Sequence, residues 1–140
     1  MPPMLGTTVE GFLASLKRCQ ASPLFLTSFY ERFVDSSDEV REKFAHTDFE
    51  KQTKMLADSL LVLAVAAQGR QDSPSWDALP RLAARHSKAQ LDIAPHLYDL
   101  WLECLIQAVK DSDPEFSPSV ERAWRETLAV GIAYMKGNYA

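Results

Sequence analysis

The sequence predicts an all-α domain, and two features of the chain carry that prediction. Apolar residues recur at intervals of three and four along most of its length, which is the periodicity of an amphipathic helix. No segment shows the sustained alternation of apolar and polar residues that is typical of a half-buried strand. We therefore expect six or seven helices around one core, forming a single domain over residues 1–140.

Capping residues and prolines indicate where the helices begin and end. The long helix is expected to run to about Gly69, and the polar stretch "GRQDSPS" after it is predicted to be a loop. Helix starts are predicted, in chain order, at Thr7 or Thr8, Ser22–Pro23, Ser36 or Ser37, Thr47–Asp48, Ser75, Pro95, and a serine of "DSDPEFSPS".

Charge and hydropathy exclude several classes of partner. The formal net charge of −4 counts against a nucleic-acid partner, which usually needs a basic face. The longest apolar run, "SLLVLAVAA", is far shorter than a membrane span, so no membrane partner is expected. "MPPMLGTTVE" lacks the pattern of a signal peptide. Cys19 and Cys104 both fall on apolar helical faces, where we expect buried free thiols in a cytoplasmic protein.

Three polar side chains stand on otherwise apolar helical faces: Tyr30, Gln52 and His86. Each has an ordinary structural explanation. A buried tyrosine often bonds a carbonyl, a glutamine near a helix start can be solvated, and a lone histidine on an apolar face is more often structural than a ligand. Together they also suggest a pocket in which an imidazole binds iron. The hydroxyl and the amide would then donate hydrogen bonds to a small ligand.

With these residues in this order, the chain resembles the bacterial single-domain globins and, more distantly, the globin domains of flavohaemoglobins. The resemblance extends from about Val9 to Tyr139. It is carried by "SFYERFVDSSDEVREKF", "FEKQTKML", "RLAARHSK", "IAPHLYDLWLECLIQAV" and "AWRETLAVGIAYM". It implies a globin fold, a three-on-three helical sandwich. Helix D is expected to be absent, because only seven residues separate Phe44 from Gln52.

The resemblance also implies a cofactor and its surroundings. The cofactor is haem b, iron protoporphyrin IX, with His86 as the iron ligand and Tyr30 and Gln52 on the distal side. Lys51 is the rival for the position of Gln52 if the register shifts by one. The implied haem pocket contains Phe44, Leu56, Leu82, Arg85, Ile93, Tyr98 and Trp101. A solvated face is the alternative for Arg85, and a plain core role is the alternative for Trp101.

The function implied is reversible binding of O2 and of other diatomic ligands such as NO and CO. Three alternatives stay open: an NO dioxygenase that works with a separate reductase, a haem-based gas sensor, and a haem-free helical interaction module. Flavohaemoglobins carry a glutamate late in the last helix that pairs with the proximal histidine. This chain has Tyr139 there, which counts against a strong dioxygenase. The oligomeric state is not predicted.

Overall fold

A computed structural model of the protein describes residues 6–69 and 78–140. Within these ranges the regular structure is entirely helical, as the sequence predicts, and none of the helices is both long and apolar enough to cross a membrane. The seven helices described there are α1 (Gly6–Gln20), α2 (Phe25–Ser36), α3 (Asp38–Lys43), α4 (Phe49–Gln68), α5 (Ala78–His86), α6 (Leu97–Ser112) and α7 (Pro118–Gly137).

Three of the predicted caps are present as hydrogen bonds. The side chains of Ser37, Asp48 and Ser117 accept from backbone N–H groups in the first turns of α3, α4 and α7. Each bond satisfies a donor that a helix start leaves without a partner. The long helix α4 ends as predicted, because Gly69 follows it with φ of 69°, a left-handed conformation that glycine adopts without strain.

Other boundaries differ from the prediction. Helix α1 begins at Gly6, ahead of both predicted caps. Helix α2 begins at Phe25 because residues 21–24 form turns, in which the Ser22 N–H bonds the Cys19 carbonyl. Helix α6 begins at Leu97, two residues after the predicted start. Of the predicted loop "GRQDSPS" only the first glycine is described, and the predicted start at residue 75 lies outside the described residues.

The cysteines differ from the prediction at one of the two positions. Cys19 is fully buried, whereas Cys104 is only half-buried. The buried stripe of α6 runs through Leu105, Ala108 and Val109, and Cys104 lies on its flank. Only one of the two thiols therefore belongs to the core.

The helices pack in pairs, with α2 against α6, and α1 and α4 against α7. Trp124 is completely buried at the centre, where its ring lies edge-on to Phe12 at a centroid distance of 4.6 Å. Residues 44–48 join α3 to α4, and no helix lies between these two. This short connection brings the end of α3 close to the start of α4, beside the cavity described next.

Candidate functional site

A cavity of about 530 Å³ lies among the helices. Its lining comes from α2 to α7 and from the segments that follow α3 and α5. All ten residues that the sequence analysis placed at a haem site line it: Tyr30, Phe44, Gln52, Leu56, Leu82, Arg85, His86, Ile93, Tyr98 and Trp101. The structure thus brings together side chains that are up to 71 positions apart in the sequence.

Helix α4 supplies one wall of the cavity. Gln52, Leu56, Ser59 and Leu63 line it, and their spacing of three to four residues places them on one helical face. Lys51 is exposed and is not part of this lining. Of the two candidates for this position, it is therefore Gln52 and not Lys51 that lines the cavity.

His86, the last residue of α5, is the one histidine of the chain's three that lines the cavity. Its Nδ1 lies 2.8 Å from the carbonyl oxygen of Leu82. Because a carbonyl only accepts, Nδ1 carries the proton and Nε2 keeps a free lone pair. Burial lowers the pKa of His86, and the bond to Leu82 offsets this only in part. The imidazole is therefore neutral near pH 7, which is its metal-binding form.

Tyr30 brings a buried hydroxyl to the same cavity. Its side chain is held between aromatic rings, at centroid distances of 4.8 Å to Phe29 and 5.8 Å to Phe44. The hydroxyl lies 3.4 Å from the backbone carbonyl oxygen of Gln52, which is long for an O–H···O bond. Burial raises the pKa of Tyr30 to about 12. The group thus stays protonated and can donate a hydrogen bond.

The loop after α5 is tied to the C-terminus and to the end of α3. The Tyr139 hydroxyl donates to the Asp92 carboxylate, and the Tyr139 carbonyl accepts from the Lys88 N–H at 2.8 Å. Lys43 Nζ donates to the Leu91 carbonyl at 3.2 Å. Tyr139 therefore bonds this loop and makes no hydrogen bond to His86.

Many of the residues that line the cavity are not among those expected from the sequence. Several of these were already on predicted apolar stripes, but periodicity alone does not tell a cavity wall from a packed core. The others lie on the short helix α3 or in the two connecting segments, where apolar spacing gives little signal. The omitted residues are Phe33, Val40, Glu42, Lys43, Thr47, Met55, Ser59, Leu63, Gln90, Leu91, Leu97, Ile132 and Met135.

A globin family model matches residues 27–135, a range that includes every residue assigned to the site. The chain belongs to the globin family, and the predicted globin fold is confirmed. Among solved structures it is similar to protein PA3967 of Pseudomonas aeruginosa PAO1, which is described as structurally highly homologous to a human haemoglobin. The two chains are 39% identical, with a TM-score of 0.89 over 95% of this chain and 98% of that one. No curated protein matches in a sequence search.

The residues around the cavity fit haem, the cofactor that family membership implies. The volume of about 530 Å³ lies within the usual range for cofactor and ligand cavities. The lining is mostly apolar, and His86 presents a neutral imidazole with a free lone pair. The protein is a haem globin.

Proposed function

We propose that this globin binds O2 reversibly, together with other diatomic ligands such as NO and CO, and that its cofactor is iron protoporphyrin IX. One observation supports the proposal above all: a neutral imidazole and a protonated phenol line the same apolar cavity. In this proposal His86 holds the iron through Nε2. When bound, haem would supply an iron that takes up a small diatomic ligand.

The bond between His86 and Leu82 prepares the imidazole for this role. A hydrogen bond from Nδ1 fixes the tautomer and the ring orientation and raises the basicity of Nε2. Because Leu82 lies one helical turn before His86 on α5, the acceptor is part of the same rigid element. No additional residue is needed to orient the ring.

Tyr30 and Gln52 are proposed to act on the small ligand. A Tyr30 hydroxyl that donates to a small ligand with partial negative charge would form a charge-assisted bond. Such bonds are worth about 1.5–3 kcal/mol. Because the contact of Tyr30 with the Gln52 carbonyl is long, turning the hydroxyl toward the ligand gives up only a weak hydrogen bond. The Gln52 amide can donate to the ligand or to Tyr30.

The other predicted residues are proposed to surround the cofactor. Tyr98 is assigned to the histidine side, and Arg85, which is exposed, is assigned to a propionate. The remaining residues are apolar and are proposed to contact the macrocycle: Phe44, Leu56, Leu82, Ile93 and Trp101.

The proposal is tested by comparing the O2 and CO dissociation rates of the wild type and Tyr30→Phe by stopped flow. Loss of the bond should accelerate O2 release by roughly 10- to 150-fold, at 1.4 kcal/mol per decade. CO is less polarised and should be released at nearly the same rate. Tyr134→Phe removes a hydroxyl outside the cavity lining and is the matched control. An O2 dissociation rate unchanged in Tyr30→Phe would remove Tyr30 from the mechanism.

A further inference from the structure

A second, larger cavity lies on the surface, beside the cavity of about 530 Å³ that His86 and Tyr30 line, hereafter the haem cavity. This α2–α4 groove, of about 1140 Å³, is lined by residues of α2 and α4 together with Arg41 of α3. Tyr30 is the one described residue that lines both the groove and the haem cavity. The α2–α4 groove and the haem cavity therefore adjoin each other at Tyr30.

Phe49 closes the groove side of this partition. Its ring lies edge-on to Tyr30 at a centroid distance of 5.5 Å and nearly parallel to Phe44 at 5.9 Å. Phe44 lines the haem cavity, whereas Phe49 lines only the groove. The three rings of Tyr30, Phe44 and Phe49 thus form one aromatic wall, with Phe49 as its outer member.

Of the three rings, Phe49 is the least confined. Its side chain is 39% exposed, whereas Tyr30 is 6% exposed and held within the core. Phe49 is also the first residue of α4, and the ends of helices open more readily than their middles. A rotation of the Phe49 ring into the groove would break its ring contacts with Tyr30 and Phe44. A similar movement of Tyr30 would also break its packing in the core.

We infer that Phe49 gates the passage of diatomic ligands between the α2–α4 groove and the haem cavity. The inference rests on the proposed function and adds an access route to it. A small apolar molecule collects in the groove and passes the aromatic wall when the Phe49 ring swings outward. It then emerges beside the Tyr30 hydroxyl.

The gate has a kinetic signature that separates it from a ligand contact. Because Phe49 does not line the cavity in which the ligand is held, changing it alters the barrier and not the bound state. The association and dissociation rate constants should therefore change by the same factor, and their ratio should stay constant. Tyr30→Phe has the opposite signature, since it accelerates dissociation of O2 selectively.

The experiment uses Phe49→Ala, which opens the wall, and Phe49→Trp, which thickens it. Leu61→Ala is the control, because Leu61 lies on the same helix, is 48% exposed and lines neither cavity. CO association is followed after flash photolysis of the haem-loaded protein, and dissociation by ligand replacement. Phe49→Ala should raise both rate constants roughly threefold to tenfold, which corresponds to about 0.7–1.4 kcal/mol of barrier. Phe49→Trp should lower both, and Leu61→Ala should change neither.

A second measurement follows the entry of O2 without any binding of the ligand to iron. The protein is loaded with zinc protoporphyrin, and O2 access is followed as quenching of the porphyrin triplet state. The quenching rate constant should rise in Phe49→Ala and fall in Phe49→Trp. Because this porphyrin does not bind O2 at its metal, the readout reports passage through the protein alone.

The outcomes separate the gate from the proposed function. If the haem-loaded protein binds CO and O2 but both Phe49 variants keep the wild-type rates, the gate is wrong and the proposed function stands. A change in the ratio of the two rate constants would make Phe49 a ligand contact and also overturn the gate. If Gln52→Trp slows triplet quenching while the Phe49 variants do not, the route passes Gln52 instead. A chain that takes up no porphyrin contradicts both proposals.

Discussion

The Nδ1 proton of His86 is bonded to the backbone carbonyl of Leu82 at 2.8 Å, one turn earlier on the same helix. Residues four positions apart lie on the same face of a helix, and a carbonyl oxygen can accept two hydrogen bonds, so the His86 ring finds its acceptor on α5 itself. The bond sets the tautomer, and it leaves Nε2 unprotonated. This pair of residues therefore links the helix boundary at His86 to the chemistry proposed for the cavity.

Burial of His86 predicts a pH dependence for the haem-free protein. The pKa of His86 is lowered from its ordinary value of 6.5, so below pH 6.5 the unfolded chain binds a proton that the folded chain does not. The free energy of unfolding should fall as the pH drops below this value. Above it, the contribution that comes from the neutral His86 should be complete. Urea titrations between about pH 5 and 8 check this. The variant His86→Gln should lose that part of the pH dependence. If the free energy of unfolding of this variant fell with pH as steeply as that of the wild type, His86 would not be the group responsible.

Asp113 should be the most costly carboxylate to neutralise in the core. It accepts hydrogen bonds from Ser15 at 2.6 Å and from Arg18 at 2.7 Å. Burial raises the pKa of Asp113, but these bonds outweigh burial and keep the pKa below its ordinary value. Asp113→Asn should lower the free energy of unfolding by about 2–3 kcal/mol. In the control Asp111→Asn, whose pair with Arg32 is solvent-exposed, the loss should stay below about 1 kcal/mol. Equal losses in the two variants would contradict this prediction.

Gly131 allows α7 to approach α4 beside the cavity. A Cβ at Gly131 would lie 2.1 Å from Cδ2 of Leu63, whereas a Cβ at Gly11 would meet only ordinary contacts. Gly11→Ala should stabilise the protein by about 0.5–1 kcal/mol through its helix preference. Gly131→Ala should destabilise it by about 1–3 kcal/mol through overpacking. Because Leu63 lines the cavity, Gly131→Ala should also weaken haem uptake. Equal changes in the free energy of unfolding at the two glycines, measured by denaturation, would show that the Leu63 side chain moves aside without cost and would contradict this prediction.

The bond between Tyr139 and Asp92 should slow the loss of haem. It ties the chain end to the loop after His86, and Lys43 at the end of α3 bonds the same loop. Tyr139→Phe removes the hydroxyl and with it the hydrogen bond to Asp92. Transfer of haem to an excess of an apoglobin acceptor should then be roughly threefold to tenfold faster. Tyr134→Phe is the control, and a rate equal to that of the wild type in Tyr139→Phe would exclude this role.

Much of the fold could be predicted because its determinants are local. The spacing of apolar residues fixes the helices, and single side chains such as Ser37, Asp48 and Ser117 fix three of their starts. The boundaries that differ lie where turns carry the chain into a helix. The Ser22 N–H bonds the Cys19 carbonyl near the end of α1 and delays the start of α2, and the spacing of apolar residues carries no signal for such a turn.

The site could be predicted only in part, and the limit has a physical origin. Tyr30, Gln52 and His86 stand out because polar groups on apolar faces need a partner. Phe49 and Lys43 carry no such signal. Phe49 is significant only because Tyr30 and Phe44 pack against it, and Lys43 only because Leu91 lies within reach. Both relationships arise from how separate segments meet.

The most direct test of the account is the absorption spectrum of the purified protein and of His86→Gly, each offered hemin and then reduced. The wild type should show the Soret band of a histidine-bound haem and should change on exposure to O2. His86→Gly should lose this signature, and added imidazole should restore it by occupying the vacated ligand position. A wild-type chain that stays colourless with hemin, or a His86→Gly spectrum identical to that of the wild type, would contradict the claim that His86 holds the iron.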